Sequence, residues 1–333
     1  MGAKIDIWYG RRQAFGRVGN PQECVNILGN VACGGEGAVE LSYRLNGKAG
    51  READGVPGKL NVGPHPIERG PRRLYFAGDF NIDLNTSDLL DGENIVEIAA
   101  VTGDGERTHE TVIVEYHLGN VWPLPYEIDW PSLSDASVAL QISDGLWRWG
   151  PEGIRTAHVA YDRLLLVGDV SWRDYEATVP VTVHAVDESV VGTPISWGCN
   201  LTVFPRWRGH TDTPVCVSQP KCGWIPAGPM HGFFWQPDEG FVVGVNTAPD
   251  VGPRVRYKGI DLRIGGTYWF KMRVETADEG SVYRFKVWAD GQPEPEGWPM
   301  RKDMPEGTPA TGSLGLLAHH VDATFGNLSV IGP

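Results

Sequence analysis

The stretch Tyr283–Trp288, which reads Tyr-Arg-Phe-Lys-Val-Trp, carries the clearest strand pattern in the chain. Its apolar side chains alternate with basic and indole ones, which is the period of a β-strand with one buried and one solvent-facing side. Asp290-Gly291 supplies a turn directly afterwards. Upstream, Tyr268–Glu275 alternates in the same way. Two neighbouring strands that place basic and indole groups on one face predict a surface for polar, ring-shaped ligands.

Composition limits the classes of partner. A length of 333 residues predicts two domains. Gly and Pro, 43 and 25 residues, suit short strands joined by many turns. The 13 Trp residues exceed the needs of an ordinary core and favour aromatic stacking sites. The net charge of −13, with an acidic excess in both halves, argues against nucleic acid and anionic membranes as partners.

Compartment and cofactor signals are sparse. No stretch is apolar enough to span a membrane, and no secretory leader pattern follows Met1. We therefore expect a cytoplasmic protein, or a secreted or periplasmic one if a signal peptide has been removed. Cys24/Cys33 and Cys216/Cys222 are each close enough in sequence for a local disulfide, but the sequence leaves both pairings open. No nucleotide-binding glycine pattern and no Gly-x-Ser-x-Gly motif occurs, so we expect no organic cofactor.

Turn signals divide the chain. In residues 1–120, several short strand patterns are separated by Asn46-Gly47, Asp91-Gly92 and Asp104-Gly105, which predicts an immunoglobulin-like β-sandwich. Residues 121–135 are rich in Pro and Trp and predict a stiff, ordered linker. The rest, 136–333, shows strands without helical spacing, which predicts an all-β protein with a second and larger sandwich.

Four stretches of the second domain resemble a known family. They are 168–176, 286–298, 312–318 and 324–330, the last reading Thr-Phe-Gly-Asn-Leu-Ser-Val. Together they are similar to the concanavalin-A-like lectin/glucanase superfamily, in its bacterial laminin-G-like branch, over roughly residues 140–333. The resemblance implies a jelly-roll sandwich. It leaves function open, because this fold carries lectins, carbohydrate-binding modules, hydrolases and lyases.

The resemblance and the strand pattern together predict a ligand-binding concave sheet in the second domain. Alternation places Arg206 on one face of its strand, with Thr202 and Phe204. A guanidinium there could fork to sugar hydroxyls or to a uronate; the alternative is an ordinary surface arginine. The predicted ligand-contacting residues are Arg206, Lys271, Arg273, Lys286 and Trp288, with Trp224 and Trp235 on a nearby aromatic loop.

Candidate catalytic groups are few. His184 lies on the polar side of its strand and could act as a general base beside Arg206 or Lys271, as in polysaccharide lyases of related folds. Glu176 belongs to a cluster of carboxylates that could supply the acid and base of glycoside hydrolysis. The alternative for both residues is structural, as an exposed histidine and as a salt-bridged carboxylate.

A structural calcium ion is implied by the resemblance. Asp169, Asp174 and Asp322 are the candidate oxygen ligands. The histidines have no metal-binding spacing, which argues against a transition metal.

The sequence leaves three functions open. The leading hypothesis is a carbohydrate-recognition protein that binds a polysaccharide or oligosaccharide on the concave face. The second is a polysaccharide-degrading enzyme of the same fold, a glycoside hydrolase or a polysaccharide lyase. The third is a structural or adhesion module.

Overall fold

The computed structural model describes residues 2–33, 39–64, 73–190, 199–213, 217–223, 229–235, 240–245 and 255–332. Within these ranges the chain forms β-strands and short 3-10 turns, and the predicted all-β class is confirmed. The 3-10 turns are Thr86–Asp88, Trp130–Ser132, Ala136–Val138 and Glu188–Val190. No helix among the described residues is long and apolar enough to cross a membrane.

The chain divides into two compact units. The first consists of Met1–Arg17, Glu23–Asn120 and His210–Gly223, and the second of Val18–Gln22, Val121–Gly209 and Trp224–Pro333. Each unit therefore includes a short segment that the sequence assigns to the other domain. No local sequence pattern predicts that these segments belong to the other unit, because their placement depends on long-range contacts.

The first unit contains two β-sheets and a small hairpin. Its strands are β1 (Lys4–Ile7), β2 (Arg12–Phe15), β3 (Cys24–Ala32), β4 (Val39–Leu45), β5 (Lys48–Ala49), β6 (Glu52–Ala53), β7 (Val56–Pro57), β8 (Lys59–Leu60), β9 (Asp79–Asn85), β10 (Gly92–Thr102) and β11 (Arg107–Tyr116). One sheet has the order β1-β3-β9, and the other has β2-β11-β10-β4-β5 with β8 beside β4. The β2–β11 pair is parallel, and the other pairs formed by the described residues of this unit are antiparallel. Their apolar faces share one core, which includes Ile27 and Ile82 from one sheet and Val96 and Val112 from the other.

Inside the first unit, the segment from the distal part of the chain is held by a buried ion pair. Asp83, on β9, accepts two hydrogen bonds from the guanidinium of Arg73, at 2.7 and 3.0 Å, and one from the backbone N–H of Lys221 at 2.7 Å. Both charged side chains are at most 2 % exposed. The amide of Gln219 bonds to the backbone of Asp83 as well. Such a pair depends on its partners, because either charge alone would be buried uncompensated.

The proposed Cys24/Cys33 disulfide is not formed. Cys24 begins β3, and Cys33 directly follows its last residue. Nine residues of extended chain separate the two thiols by about 30 Å, far beyond disulfide reach. No disulfide joins two cysteines of the described part of the chain, and Cys216 lies outside it.

The second unit is a larger sandwich. Its strands are β12 (Tyr126–Ile128), β13 (Gln141–Asp144), β14 (Trp147–Gly150), β15 (Gly153–Thr156), β16 (Arg163–Val167), β17 (Tyr175–Val186), β18 (Cys199–Trp207), β19 (Met230–Trp235), β20 (Gly240–Val245), β21 (Val255–Tyr257), β22 (Thr267–Ala277), β23 (Gly280–Ala289), β24 (Met300–Met304), β25 (Ser313–His319), β26 (Val321–Phe325) and β27 (Leu328–Ile331). In the described residues, one sheet has nine strands and the other has seven.

The nine-stranded sheet has the order β14-β15-β26-β17-β22-β23-β24, with β27 also beside β17 and β12 beside β27. The seven-stranded sheet has the order β13-β16-β25-β18-β19-β20-β21. Phe241 from the second sheet meets Phe270 and Phe285 from the first at ring distances of 5.8 and 6.0 Å. One apolar core therefore lies between the two sheets, and the other side of the nine-stranded sheet carries its polar residues.

The segment 121–135, expected to be a linker, is built into the second unit. Its strand β12 pairs with β27, the last strand of the chain. Trp130 is 2 % exposed and donates its indole N–H to the carbonyl of Gly326 at 2.9 Å. The aromatic residues of this segment therefore find their cover in the sandwich itself.

Candidate ligand-binding face of the second unit

The outer side of the nine-stranded sheet brings the basic and indole residues together. Lys271 on β22 stands opposite Lys286 on β23, and Trp269 stands opposite Trp288. Directly paired residues of an antiparallel ladder point to the same side of the sheet. The two indole rings are nearly parallel, with centroids 6.1 Å apart. We call this surface the indole–lysine face; its strand residues are Glu176, Trp269, Lys271, Arg273, Lys286 and Trp288.

Two carboxylates neutralise the lysines of this face. The Nζ atom of Lys271 lies 2.9 Å from Oε1 of Glu176 and 2.9 Å from Oε1 of Glu294. Glu294 also contacts Nζ of Lys286, at 2.6 Å. On its other oxygen, Glu176 accepts a hydrogen bond of 2.7 Å from Nε of Arg273. These three cations and two anions form one connected network, and a further carboxylate of β22 lies 3.9 Å from the Arg273 guanidinium.

These contacts favour the charged forms of Lys271 and Glu294. Burial alone would lower the pKa of the Lys271 ammonium, but its hydrogen bonds to Glu294 and Glu176 outweigh burial and raise that pKa. Burial alone would raise the pKa of Glu294, yet Lys286 and Lys271 together lower it. Glu294 is therefore ionised at neutral pH.

The segment 290–299, which connects β23 to β24, lies across the face. Asp290 accepts a hydrogen bond of 2.9 Å from the indole N–H of Trp269. Trp298 lies under two cations, with Nζ of Lys286 4.7 Å and Cζ of Arg273 5.3 Å from its ring centre. Trp298 is only half-buried, and within the described part of the chain its indole N–H has no hydrogen-bond acceptor.

Arg206 does not belong to this face. It lies on β18, in the seven-stranded sheet, and its side chain is fully buried. The guanidinium donates to the carbonyl oxygens of Arg173 and Pro309, both at 3.1 Å, and to Oγ of Ser281 at 2.5 Å. The prediction that Arg206 lies on an open sheet surface is therefore wrong.

A β-bulge explains the position of Arg206. The pairing of β18 with β25 shifts after Phe204, and Arg206 has a positive φ of 60°. A bulge inserts a residue and reverses the sides to which later side chains point. Trp207 consequently packs beside Phe204, with ring centres 5.5 Å apart, and Arg206 turns toward Tyr283 of the opposite sheet.

His184 and Arg206 occupy distant places, so the predicted catalytic pair is not formed. The backbone N–H of Arg206 bonds to the hydroxyl of Tyr175, at the start of β17, whereas His184 is near the end of that strand. Nine strand residues correspond to about 30 Å. His184 instead contacts the Thr324 hydroxyl at 2.8 Å, and its pKa is lowered first by burial and then by the positive charge of Arg155.

The three predicted calcium ligands lie in separate hydrogen-bond networks. Asp169 accepts hydrogen bonds from three backbone N–H groups, at 2.9 to 3.1 Å, and from a serine hydroxyl. Asp174 contacts Arg206 at 3.3 Å, and Asp322 forms a two-pronged pair with Arg155 at 2.7 and 2.8 Å. No cluster of three metal-binding side chains occurs among the described residues. These residues do not fit a shared calcium ion.

The aromatic loop contributes only in part. Trp224 lies outside the described residues. Trp235 ends β19, is half-buried, and contacts the Phe233 ring at a centroid distance of 4.7 Å. It packs against the sandwich core and does not join the indole–lysine face.

Sequence reasoning missed Glu294, Trp298 and the part played by Trp269. Glu294 and Trp298 stand in the stretch that carries the family resemblance, but the sequence assigns that stretch to a turn. The return of the segment over the sheet depends on contacts with two strands. Alternation along β22 was a sufficient signal for Trp269, whose neighbours Lys271 and Arg273 point to the same side.

Comparisons with known proteins leave the family unassigned. No family model matches the chain, and no curated protein matches it. Among solved structures, the VIP36 exoplasmic/lumenal domain in its Ca²⁺/Man-bound form aligns with a TM-score of 0.40 and 11% identity, covering 62% of this chain and 90% of that one. The Trypanosoma rangeli sialidase in complex with sialic acid aligns with a TM-score of 0.37 and 12% identity, covering 94% and 51%.

A protein of unknown function with a galectin-like fold from Bacillus subtilis aligns with a TM-score of 0.30 and 13% identity, covering 62% of this chain and 94% of that one. Likeness at this level assigns neither a family nor a ligand to the chain. The laminin-G-like branch and the immunoglobulin-like character of the first unit stay predictions.

Proposed function

We propose that the second unit, a sandwich of the concanavalin-A-like kind, binds a polysaccharide or oligosaccharide on its indole–lysine face. The observation that carries the proposal is the half-buried Trp298, whose ring lies under two cations on the face that also carries the parallel Trp269 and Trp288 rings. Indole rings stack on the C–H faces of sugar rings, while lysine, arginine and carboxylate groups bond to hydroxyls. The face combines both kinds of contact.

Binding is favoured over hydrolysis by the charge state of the carboxylates. Glu176 and Glu294 converge on one lysine, so the face does contain a carboxylate pair. A glycosidase needs one member of its pair protonated at working pH. The lowered pKa of Glu294 disfavours that role for Glu294. Hydrolysis remains the second candidate because of this pair.

The test is retention of the purified protein on a panel of neutral and uronate polysaccharides, by affinity electrophoresis, with Trp298→Ala beside the wild type. We expect the wild type to be retained on at least one glycan and Trp298→Ala to bind that glycan at least about tenfold more weakly, as for the loss of an aromatic anchor. Trp149→Ala is the matched control, since Trp149 is a 37 % exposed indole on β14, at the far edge of the same sheet.

Retention on no glycan would sink the proposal and favour a structural or adhesion module. If Trp298→Ala is retained as strongly as the wild type, the glycan does not bind on the indole–lysine face. Reducing ends and the absorbance of unsaturated uronates are followed on the same samples. Reducing ends alone would establish hydrolysis and direct attention to Glu176 and Glu294, while both signals would establish a lyase and direct attention to His184 and Arg155.

A further inference from the structure

The segment 290–299 places a carboxylate between two lysines of the chain's own binding face. Glu294 is 42 % exposed, yet it contacts Lys271 at 2.9 Å and Lys286 at 2.6 Å, whose side chains are 17 % and 6 % exposed. Glu176, the other anion, is only 8 % exposed and is fixed within β17 by its strand neighbours. Of the two carboxylates, Glu294 is therefore the one that can leave without unfolding the sheet.

Departure of Glu294 would leave the face positively charged. Lys271 and Arg273 would keep their contacts with Glu176, and Arg273 its contact of 3.9 Å with Glu275, while Lys286 would lose its carboxylate partner. Lys286 is almost fully buried, and among the described residues its one further acceptor is the Pro295 carbonyl, at 2.8 Å, so its ammonium then requires another anion. This local positive charge contrasts with the net charge of −13 of the whole chain.

The segment itself is attached at few points. Its residues are exposed except for Pro295 and Trp298, which are half-buried. Its side-chain contacts with the sheet run through Asp290, Glu294 and Trp298. These are hydrogen-bonding, ionic and cation–π contacts with strand side chains, which are the contact types that a charged sugar would make.

We propose that Glu294 stands in for a ligand carboxylate, so that the indole–lysine face selects acidic glycans of the uronate class and the segment 290–299 competes with them. The inference rests on the proposed function and specifies its ligand. A uronate carboxylate takes the position of Glu294 between Lys271 and Lys286, while its ring meets an indole. The unliganded protein is thus held in a self-occupied state, and the ligand must displace this contact.

The test compares polygalacturonate with its fully methyl-esterified form, which has the same ring skeleton without the charge. Affinities are measured by titration calorimetry at low salt for the wild type, Glu294→Gln and Glu296→Gln. Glu296 is an exposed carboxylate of the same segment, so its variant changes the net charge equally. We expect Glu294→Gln to bind polygalacturonate at least about fivefold more tightly than the wild type. This gain in affinity should shrink as salt screens the lysines. The affinity for the methyl-esterified polymer should not change, and Glu296→Gln should bind polygalacturonate as the wild type does.

Several results would overturn the inference while leaving carbohydrate binding intact. An equal gain on both polymers would indicate simple loosening of the segment, and an equal gain in both variants would indicate net charge alone. If Glu294→Gln binds polygalacturonate with the same affinity as the wild type or more weakly, Glu294 does not compete with the ligand. If a neutral glycan of the panel is bound and neither the wild type nor Glu294→Gln binds polygalacturonate, the ligand is not a uronate. Only the absence of binding to every glycan would remove the proposed function itself.

Discussion

Replacement of Arg206 by methionine tests whether this arginine holds the sandwich together. The substitution keeps most of the aliphatic volume and removes the guanidinium. The carbonyl oxygens of Arg173 and Pro309 would lose their buried donor, and Asp174 would lose its cation.

The magnitude follows from the burial of these partners. Removing one member of a buried ion pair costs about 3–5 kcal/mol. Asp174 is 28 % exposed and keeps the backbone N–H of Thr276 at 2.7 Å, so the cost lies at the lower end, at about 3 kcal/mol. With a urea m-value of about 3 kcal/mol/M, the unfolding midpoint should fall by about 1 M.

Urea unfolding followed by tryptophan fluorescence is the assay. Trp8 is the one tryptophan that lies in the first unit, so the signal reports the second unit. Arg148→Met is the matched control, because Arg148 is an exposed strand arginine, and we expect it to change stability by less than about 0.5 kcal/mol. A midpoint for Arg206→Met equal to that of the wild type, together with loss of glycan binding, would refute the structural role and return Arg206 to the binding site.

Two further predictions concern buried titratable groups. Burial lowers the pKa of His231 to about 3 from 6.5, so its neutral form is favoured in the folded protein. The contribution of this histidine to the free energy of unfolding should therefore be full above pH 6.5 and fall by about 1.4 kcal/mol per pH unit as the pH drops toward 3. Urea titrations at a series of pH values should show a shallower loss of stability for His231→Phe than for the wild type. The same dependence of stability on pH in both proteins would contradict this prediction. Burial raises the pKa of the Cys199 thiol to about 12, so iodoacetamide at pH 8 should label native Cys199 far more slowly than the half-buried Cys33. Peptide mass spectrometry after timed quenching measures the two labelling rates. Equal rates would show that Cys199 is accessible as a thiolate.

Strand periodicity by itself determined much of this protein. Alternation in Tyr268–Glu275 and Tyr283–Trp288 is sufficient to predict two strands with Lys271, Arg273 and Lys286 on one side, because side-chain direction repeats every two residues wherever one face is buried. Turn residues likewise predicted the all-β class, since Gly and Asn adopt backbone conformations that end strands.

Only the tertiary structure decided which residues meet. Periodicity assigned Arg206 to an open face, but a β-bulge directs its side chain into the interior. The bulge inserts a single residue, and the amino-acid composition does not reveal it. It paired His184 with Arg206, whereas the length of β17 separates them. The return of Glu294 and Trp298 over the sheet depends on charges and rings contributed by β22 and β23. Local sequence encodes the direction of a side chain, but its neighbours are set by long-range pairing.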